Sequence, residues 1–319
     1  MIYPFEQQHR HFWSGVNHAG EVHGLMGEWI GIAATHCSAA LLEALDTYAG
    51  AKHVFVDSGA FSEVEFGANG PRVVKPITHA EWLRRFDVYR EIAAAHRTRA
   101  YLVTPDQVGN QAVTLERLTR YGHIMRALVL WHRCRVIVPV QKGADSMADF
   151  FTRSLLALRL PRYDDVGEPI WPIAGIPMKK DATSIEELAE FAEAMPNGAH
   201  FHLLGLGPES KRYGQAIAAI KRVNPDAVIT SDSNTIRRLV GRTNGRGGGP
   251  RALTRATDAA RSRGLSGSNL KAAALGEVTL ALHRAELQRA YESGWSDPEL
   301  EGERPGYEAP QQMSMGELS

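Results

Sequence analysis

Three aspartates follow short apolar runs that are typical of buried β-strands: Asp57 after HVFV, Asp106 after AYLVTP and Asp232 after AVITS. Gln141 ends a fourth run of this kind, VIVPVQ. Carboxylates that share one cavity raise each other's pKa and can divide the roles of nucleophile, acid and base among them. Each aspartate alone is also compatible with a helix N-cap or a turn. Together they indicate chemistry at an electrophilic carbon, such as an anomeric centre.

The elements that would position these residues follow an alternating pattern. Apolar runs rich in β-branched residues are each followed by a segment of helical periodicity, and the runs cover residues 29–34, 53–57, 100–106, 136–141, 170–176, 200–207 and 227–232. Parallel strands need a crossover, which is usually a helix. The pattern therefore predicts an α/β fold, a (β/α)8 TIM-type barrel with one strand not identified and with a C-terminal helical extension. A doubly wound open sheet is the alternative, but no G-x-G-x-x-G run follows the first strand and no Walker-type phosphate loop occurs.

In such a barrel the C-terminal ends of the strands surround one mouth, where the active site lies. The strand-end residues should therefore converge there. A carboxylate, an amide and backbone N–H groups complement the edge of a guanine-like base, and glycines at strand ends let a ligand approach the backbone. Phe61 is predicted to stack on that base, with ordinary core packing as the alternative. The candidate base-binding residues are Asp106, Gln141, Gly143, Gly175, Gly205, Ser58 and Phe61.

Charge is distributed unevenly along the chain. The whole sequence balances 36 basic against 36 acidic residues, but between Arg237 and Arg263 eight arginines stand against the single acid Asp258. A nucleic acid would therefore be held by a local patch rather than by net charge, although a solvated loop is the alternative. The residues predicted to bind nucleic acid are Arg237, Arg238, Arg242, Arg246, Arg251, Lys142 and Lys179.

Composition also predicts the domain organisation. Residues 1–240 are expected to form the catalytic barrel, 241–295 an arginine-rich loop and a C-terminal helix packed on it, and 296–319 a disordered acidic tail. No apolar run reaches the length of a membrane helix and no signal peptide is present, so we expect no membrane partner and a cytoplasmic location, in the host cytoplasm for a phage-encoded protein.

Metal binding is not expected. Cys37 and Cys134 are the two cysteines of the sequence, too few for a thiolate zinc site. Histidines crowd the N-terminal segment but lack a ligand spacing such as H-E-x-x-H, and scattered surface or turn histidines are the favoured interpretation. His18 and His23 precede the first predicted strand and can reach the mouth. The histidines of this segment are His9, His11, His18, His23 and His36.

The segment DSGAFS at residues 57–62 resembles the DSGGFQ-type signature of the tRNA-guanine transglycosylase superfamily. TPD, VQKG, IAGIP, HLLGLG and TSDSN follow in the order of that family's motifs, so the likeness spans about Val54 to Ser233. The run VNHAGEVHG and the residues around Asp232 are closer to the DpdA-type enzymes of bacteria and phages, which put a 7-deazaguanine such as preQ0 into DNA. Ala60 and Ser62 replace the family's glycine and glutamine, and the zinc-binding cysteines of the tRNA enzymes are absent after Cys134.

The resemblance implies a base exchange in two displacements. Asp232 would attack C1′ of a target nucleoside and expel guanine, and an incoming 7-deazaguanine, deprotonated by Asp57, would then attack C1′. Asp106, Gln141 and Gly175 would hold the purine, and the target nucleotide would be flipped out or single-stranded. DNA is the implied polymer, with tRNA as the alternative. No cofactor is implied, and accessory modification proteins are candidate partners.

Two rival functions use the same residues differently. A barrel N-glycosidase would transfer the sugar to water without base exchange. A non-catalytic nucleic-acid-binding barrel would keep the fold and the basic segment without turnover.

Overall fold

The computed structural model describes residues 9–48, 52–67, 70–161, 163, 170–178, 182–243 and 251–293. Arg246, Lys179 and the predicted tail at 296–319 lie outside these ranges. The strands are β1 His9–Val16, β2 Ile30–Ala33, β3 Val54–Asp57, β4 Val64–Gly67, β5 Gly70–Val73, β6 Ala100–Val103, β7 Arg135–Pro139, β8 Ile173–Pro177, β9 His200–Leu204 and β10 Val228–Ser233.

Helices cover the connections between the strands and the C-terminal part of the described chain. They are α1 Ala19–Gly24, α2 Ala39–Tyr48, α3 His79–His96, α4 Gln111–His132, α5 Met147–Leu158, α6 Ile185–Ala194, α7 Lys211–Val223, α8 Thr235–Thr243, α9 Ala252–Ser262 and α10 Gly267–Glu292. Several start at the residue types that cap helix N-termini. Thr78 and Ser184, for example, each accept a hydrogen bond from the backbone N–H three residues later.

Eight strands close into a barrel in the order β1, β10, β9, β8, β7, β6, β3, β2, and every neighbouring pair is parallel. The predicted (β/α)8 fold is confirmed, and each of the predicted runs overlaps a barrel strand. The strand that the pattern did not identify is β1, HRHFWSGV. It is rich in polar side chains, and it closes the barrel by pairing with β10 and β2.

Side chains alternate between the inside of the barrel and the layer under the helices, as the two-residue period of a strand requires. The inside is filled by an aromatic and aliphatic cluster of Phe12, Trp29, Phe55, Tyr101, Val103, Ile137 and Ile173. Asp57 follows Phe55 by two residues and Asp232 follows Thr230 by two. Both carboxylates therefore lie on inward-facing positions at the C-terminal ends of their strands.

Two features extend the barrel. The antiparallel hairpin of β4 and β5 follows β3 at the mouth and was not predicted. The C-terminal helical extension is confirmed: α10 packs against α1 so closely that a Cβ added at Gly20 would lie 2.4 Å from the backbone oxygen of Ala272. Within the described ranges, no helix is both long and apolar enough to cross a bilayer.

Candidate active site

Asp106 is the centre of a buried hydrogen-bond network on one side of the mouth. Its Oδ1 accepts from the Ser58 hydroxyl at 2.8 Å, and its Oδ2 accepts from Gln141 Nε2 at 2.9 Å. Gln141 is fixed in turn, because its Oε1 accepts from Gly109 N at 2.8 Å. Burial raises the pKa of Asp106 to about 7, against the opposing effect of the Ser58 hydrogen bond, and the charge of Asp57 adds to the rise. Asp106 and Gln141 form one rigid polar surface, because β6 and β7 are neighbours.

Asp57 ends β3, next to this network. Burial raises its pKa to about 6, and the charge of Asp232 raises it further, while backbone N–H groups of Gly59 and Ser58 act in the opposite direction. Gly59 has a φ of 76°, a left-handed conformation that turns the chain directly after the carboxylate. That turn brings Ser58 to Asp106. A carboxyl group with such a pKa can give or take a proton near neutral pH.

Asp232 is the last residue but one of β10, and β1 and β2 lie between β10 and β3 in the closed barrel. Its Oδ1 accepts from the backbone N–H of Gly205 at 2.8 Å and lies 3.3 Å from Nε2 of the fully buried His202. Burial alone would raise the pKa of Asp232, but the hydrogen bonds from His202 and from the backbone N–H of Gly205 act against burial, and the pKa lies below its ordinary value. Asp232 is therefore the ionised carboxylate of the mouth, with Oδ2 as the oxygen that these two donors do not engage.

Charged side chains behind the mouth hold the loops that carry Asp57 and Asp106. Arg117 and Glu63 form a buried bidentate pair, with both N–O distances at 2.6 Å, and Arg117 also donates to the backbone oxygen of Asp106. Arg85 donates to the backbone oxygen of Ser58 at 2.7 Å and to the Ser62 hydroxyl at 3.3 Å. Ser62 is thus part of the scaffold that holds this loop.

The surroundings of the glycines that were predicted to bind a base can be described from the fold alone. Gly175 lies inside β8, where a Cβ would meet the Ile137 side chain at 2.7 Å, so its small size serves barrel packing. Gly205 has a φ of 72°, and its N–H is directed to Asp232 rather than left open for a base. Gly143 is exposed and lies against Gln111, whose amide bonds the backbone of Gln141 and Asp145. All three glycines lie on or follow strands that end at the mouth.

Phe61 is 44% exposed and stacks on Phe66 of the hairpin, with ring centroids 5.8 Å apart. Core packing, the alternative for this residue, is therefore excluded. Its ring lies on the surface, four residues beyond Asp57.

The residues predicted to bind nucleic acid differ in whether they form ion pairs within the protein. Arg237 pairs with the buried Glu21 at 3.0 Å, and Lys142 pairs with Glu187 at 2.8 Å. Arg238, Arg242 and Arg251 are exposed, and the described residues provide no acidic partner within ion-pair distance of them. These three remain available to an external anion.

The N-terminal histidines lie at positions that differ from the predicted ones. His18 and His23 come after the first strand, because β1 begins at His9. His11 points away from the mouth, with Nδ1 2.7 Å from Ser231 Oγ and Nε2 3.1 Å from Ser233 Oγ. Across the described ranges, no group of three or more His, Cys, Asp or Glu side chains is placed to hold a metal ion.

His202 is the main residue of the site that sequence reasoning did not identify. It stands in HFHLLGLG, where an inward position two residues before the strand end was a usable signal. Its ring stacks on Phe55 at 4.8 Å and 15°, inside the barrel. Arg85 and Arg117 were also missed, since they lie within helices and their partners are distant in sequence.

No family model matches the chain, and no curated protein matches it. Solved structures that match include an N-acetylneuraminate lyase from Mycoplasma synoviae, with 11% identity over 89% of this chain and 83% of that one and a TM-score of 0.43. At that identity and TM-score the similarity carries no information about activity. Function must therefore be argued from the residues at the mouth.

Proposed function

We propose that this protein is a base-exchange glycosyltransferase that replaces guanine in DNA by a 7-deazaguanine such as preQ0 through a covalent Asp232 intermediate. The supporting observation is the contrast among three carboxylates in one mouth. The pKa of Asp232 is held below its ordinary value, whereas those of Asp57 and Asp106 are raised to about 6 and about 7. Carboxylates whose environments separate their pKa values in this way can serve as nucleophile and acid/base in one reaction.

In the first displacement, Oδ2 of Asp232 attacks C1′ of the target nucleotide. The bond from C1′ to N9 breaks, its electron pair leaves with guanine, and protonated Asp57 supplies the proton that the departing base needs. A glycosyl ester of Asp232 and an ionised Asp57 remain. The raised pKa of Asp57 keeps a fraction of this carboxyl protonated near neutral pH.

In the second displacement, Asp57 takes the N9 proton of the incoming 7-deazaguanine. The freed electron pair of N9 attacks C1′, and the ester bond to Asp232 breaks with its electrons returning to the carboxylate. Asp57 ends protonated and Asp232 ionised, as at the start. One acid/base residue therefore serves both directions.

The Asp106 network fits the recognition of the base. Each oxygen of Asp106 keeps a lone pair beyond those used by Ser58 and Gln141, and these can accept from N1–H and the exocyclic amino group of a purine. The exposed ring of Phe61 is a candidate stacking surface beside it.

The choice of a polymer substrate rests on the basic residues of α8 and the start of α9. Arg238 and Arg242 are exposed on α8, which follows Asp232 directly, and Arg251 is exposed at the start of α9, so we infer that they contact phosphates next to a nucleotide whose C1′ reaches Asp232. Since C1′ is inaccessible within a base stack, a flipped or single-stranded nucleotide is required.

The test is incorporation of radiolabelled guanine or preQ0 into duplex DNA, single-stranded DNA and bulk tRNA, with label counted in the polymer and free guanine measured in parallel. Asp232→Asn removes the nucleophile, and Asp87→Asn, on the exposed face of α3, is the matched control. We expect label in DNA with the wild type and with Asp87→Asn, but not with Asp232→Asn.

Other outcomes reject parts of the proposal. Label in tRNA alone would keep the chemistry and overturn the choice of DNA. Guanine release without incorporation would show an N-glycosidase. Neither release nor incorporation with any polymer would reject base exchange and favour a binding protein.

A further inference from the structure

A chain of polar side chains runs along the inside of the barrel beneath Asp232. His202 Nδ1 lies 2.8 Å from Thr230 Oγ1, and the same oxygen lies 3.1 Å from His200 Nε2. At the upper end, His202 Nε2 approaches Asp232 Oδ1 at 3.3 Å. The chain thus connects the floor of the barrel to one oxygen of the carboxylate at its mouth.

The hydrogen-bonding capacities of these groups leave one consistent arrangement for a neutral His202. An ionised carboxylate only accepts, so Nε2 of His202 must carry the proton directed at Asp232. Nδ1 then has a lone pair and must accept from the Thr230 hydroxyl, which has a single proton to donate. With that proton committed, Thr230 can only accept from Nε2 of His200.

A second acceptor lies near the hydroxyl proton of Thr230. Thr230 Oγ1 lies 3.4 Å from the backbone oxygen of Phe201, beyond the usual range of a strong O–H···O hydrogen bond. The 2.8 Å contact with His202 is much shorter. Geometry therefore favours donation to His202.

His200 suits the lower end of this chain. Burial and the charge of nearby Arg135 hold the pKa of His200 well below its usual value, so its ring is neutral and has one N–H to donate. The ring of His202 is itself restrained from rotating, because it stacks on Phe55 and packs near Phe12, with the centroids of the His202 and Phe12 rings 5.9 Å apart. The ring of His202 is thus held by packing as well as by hydrogen bonds.

We propose that Thr230 and His200 fix His202 in its Nε2–H tautomer, and that His202 is thereby a positioning residue that holds Oδ1 of Asp232 and leaves Oδ2 directed to substrate. The tautomer is independent of the reaction, whereas its effect on catalysis rests on the proposed function. In the opposite tautomer, an Nε2 lone pair would face the carboxylate and repel it. His202 would then disturb the nucleophile instead of orienting it.

The substrate-free test uses nitrogen-15 NMR of protein labelled in its histidines at pH 8. The sequence has 13 histidines, so the His202 signals are assigned by their absence in His202→Gln. We expect the Nε2–H tautomer in the wild type, its loss or mixing with the other tautomer in Thr230→Val, and its retention in Thr230→Ser, which keeps the hydroxyl. An Nδ1–H tautomer or an imidazolium in the wild type would overturn the inference even if Thr230→Val does not fold.

The kinetic test uses the same variants. Thr230→Val should lower kcat about 10- to 100-fold, with little change in KM for the free base, because His202 then no longer holds a fixed N–H toward the charged Asp232. Thr230→Ser should recover most of kcat. Equal kcat in Thr230→Val and the wild type would remove the positioning role. If the wild type exchanges no base at all, the proposed function fails, while the NMR result still decides whether the tautomer is fixed.

Discussion

Asp57 and Asp232 are side chains of one type in one mouth, yet the residues around them shift their pKa values in opposite directions. For Asp57, burial and the charge of Asp232 outweigh the backbone N–H groups of Gly59 and Ser58 and the charge of Arg85, whereas for Asp232 the hydrogen bonds from His202 and Gly205 outweigh burial. The second carboxylate also raises the pKa of the first. The pair therefore behaves as a unit, and changing either residue should alter the titration of the other.

This coupling predicts opposite pH dependence for the two displacements. Guanine release needs protonated Asp57, so its rate should fall as pH rises through about 6. Attack by the incoming base needs ionised Asp57, so its rate should fall as pH drops, at a lower pH than the guanine-release limb, because the esterified Asp232 no longer raises the pKa of Asp57. Single-turnover measurements of each displacement between pH 4.5 and 8.5 would check this.

Asp57→Asn should abolish the pH limbs of both displacements together with most of the rate. The exposed Asp87→Asn should leave both profiles unchanged. Parallel profiles for the two displacements would contradict the assignment of Asp57 as a shared acid and base.

Residue types at strand ends were sufficient to predict that Asp57, Asp106, Gln141 and Asp232 lie together, because strand ends of a barrel share one mouth. His202 was not predictable in the same way. Its role depends on which side of β9 faces inward and on pairing with β10, and both are set by barrel closure. Local sequence also could not reveal that the N–H of Gly205 is directed to Asp232.

At the scale of single elements, α8 is predicted to contact nucleic acid. Each arginine that neutralises a phosphate steepens the dependence of log binding constant on log salt by about 0.9. The double variant Arg238→Ala/Arg242→Ala should therefore weaken DNA binding at low salt and reduce that slope by about 2. Fluorescence anisotropy with labelled DNA over a salt series measures both quantities.

Arg261→Ala is the matched control, because Arg261 pairs with Asp258 at 2.8 Å on α9. It should leave the slope within error of the wild type. An unchanged slope in the double variant would show that α8 is a solvated helix. The sequence alone could not show which of the predicted basic residues form ion pairs within the protein, since the pairing of Arg237 with Glu21 and of Lys142 with Glu187 is visible only in three dimensions.

Helix α4 offers a second comparison, between a buried and an exposed ion pair. Arg117→Met leaves Glu63 buried without its main partner and should lower the free energy of unfolding by about 3–5 kcal/mol. Arg120→Met removes the exposed pair with Glu116, whose N–O distance is 3.5 Å, and should change it by no more than about 0.5 kcal/mol.

Urea denaturation followed by circular dichroism measures both variants. Equal free energies of unfolding for Arg117→Met and Arg120→Met would mean that one hydrogen bond is enough to stabilise the buried carboxylate of Glu63. That bond comes from the backbone N–H of Ile77, which donates to Glu63 at 2.6 Å. Arg117→Met should also lower activity, because Arg117 contacts the backbone of Asp106.

At the scale of the whole molecule, the packing of α10 on α1 depends on two glycines. A Cβ at Gly20 or Gly24 would lie 2.4 Å or 2.6 Å from a backbone oxygen of α10, and backbone atoms cannot move aside as side chains do. Gly20→Ala should therefore destabilise the protein by roughly 1–3 kcal/mol, as overpacking does.

Gly214→Ala is the control, because α7 has nothing within 4 Å of a Cβ at that position. It should raise stability by up to about 1 kcal/mol, the difference in helix propensity. Thermal unfolding of both variants checks the pair. A Gly20→Ala protein as stable as the wild type would show that α10 can shift without cost.

The barrel was predictable because alternating strands and helices with short connections leave few other topologies. Two parts of the architecture were not. In β1, Arg10 and His11 interrupt the apolar pattern, and the structure accommodates them by placing Arg10 over the Trp29 ring and His11 between two serines of β10. The hairpin of β4 and β5 consists of four-residue strands that are largely exposed, so it carries no apolar signal.

The pairing of β1 with β10 has a consequence for how the protein is made. Contacts such as that between His11 and Ser231 join residues 220 positions apart, and pairings of high sequence separation form late in folding. A nascent chain without β10 has two open sheet edges, at β1 and β9, which are sites for unwanted strand pairing. Asp232 lies on the strand that closes them. The residues that close the barrel therefore also complete its set of mouth carboxylates, and a nascent chain too short to close the barrel lacks Asp232.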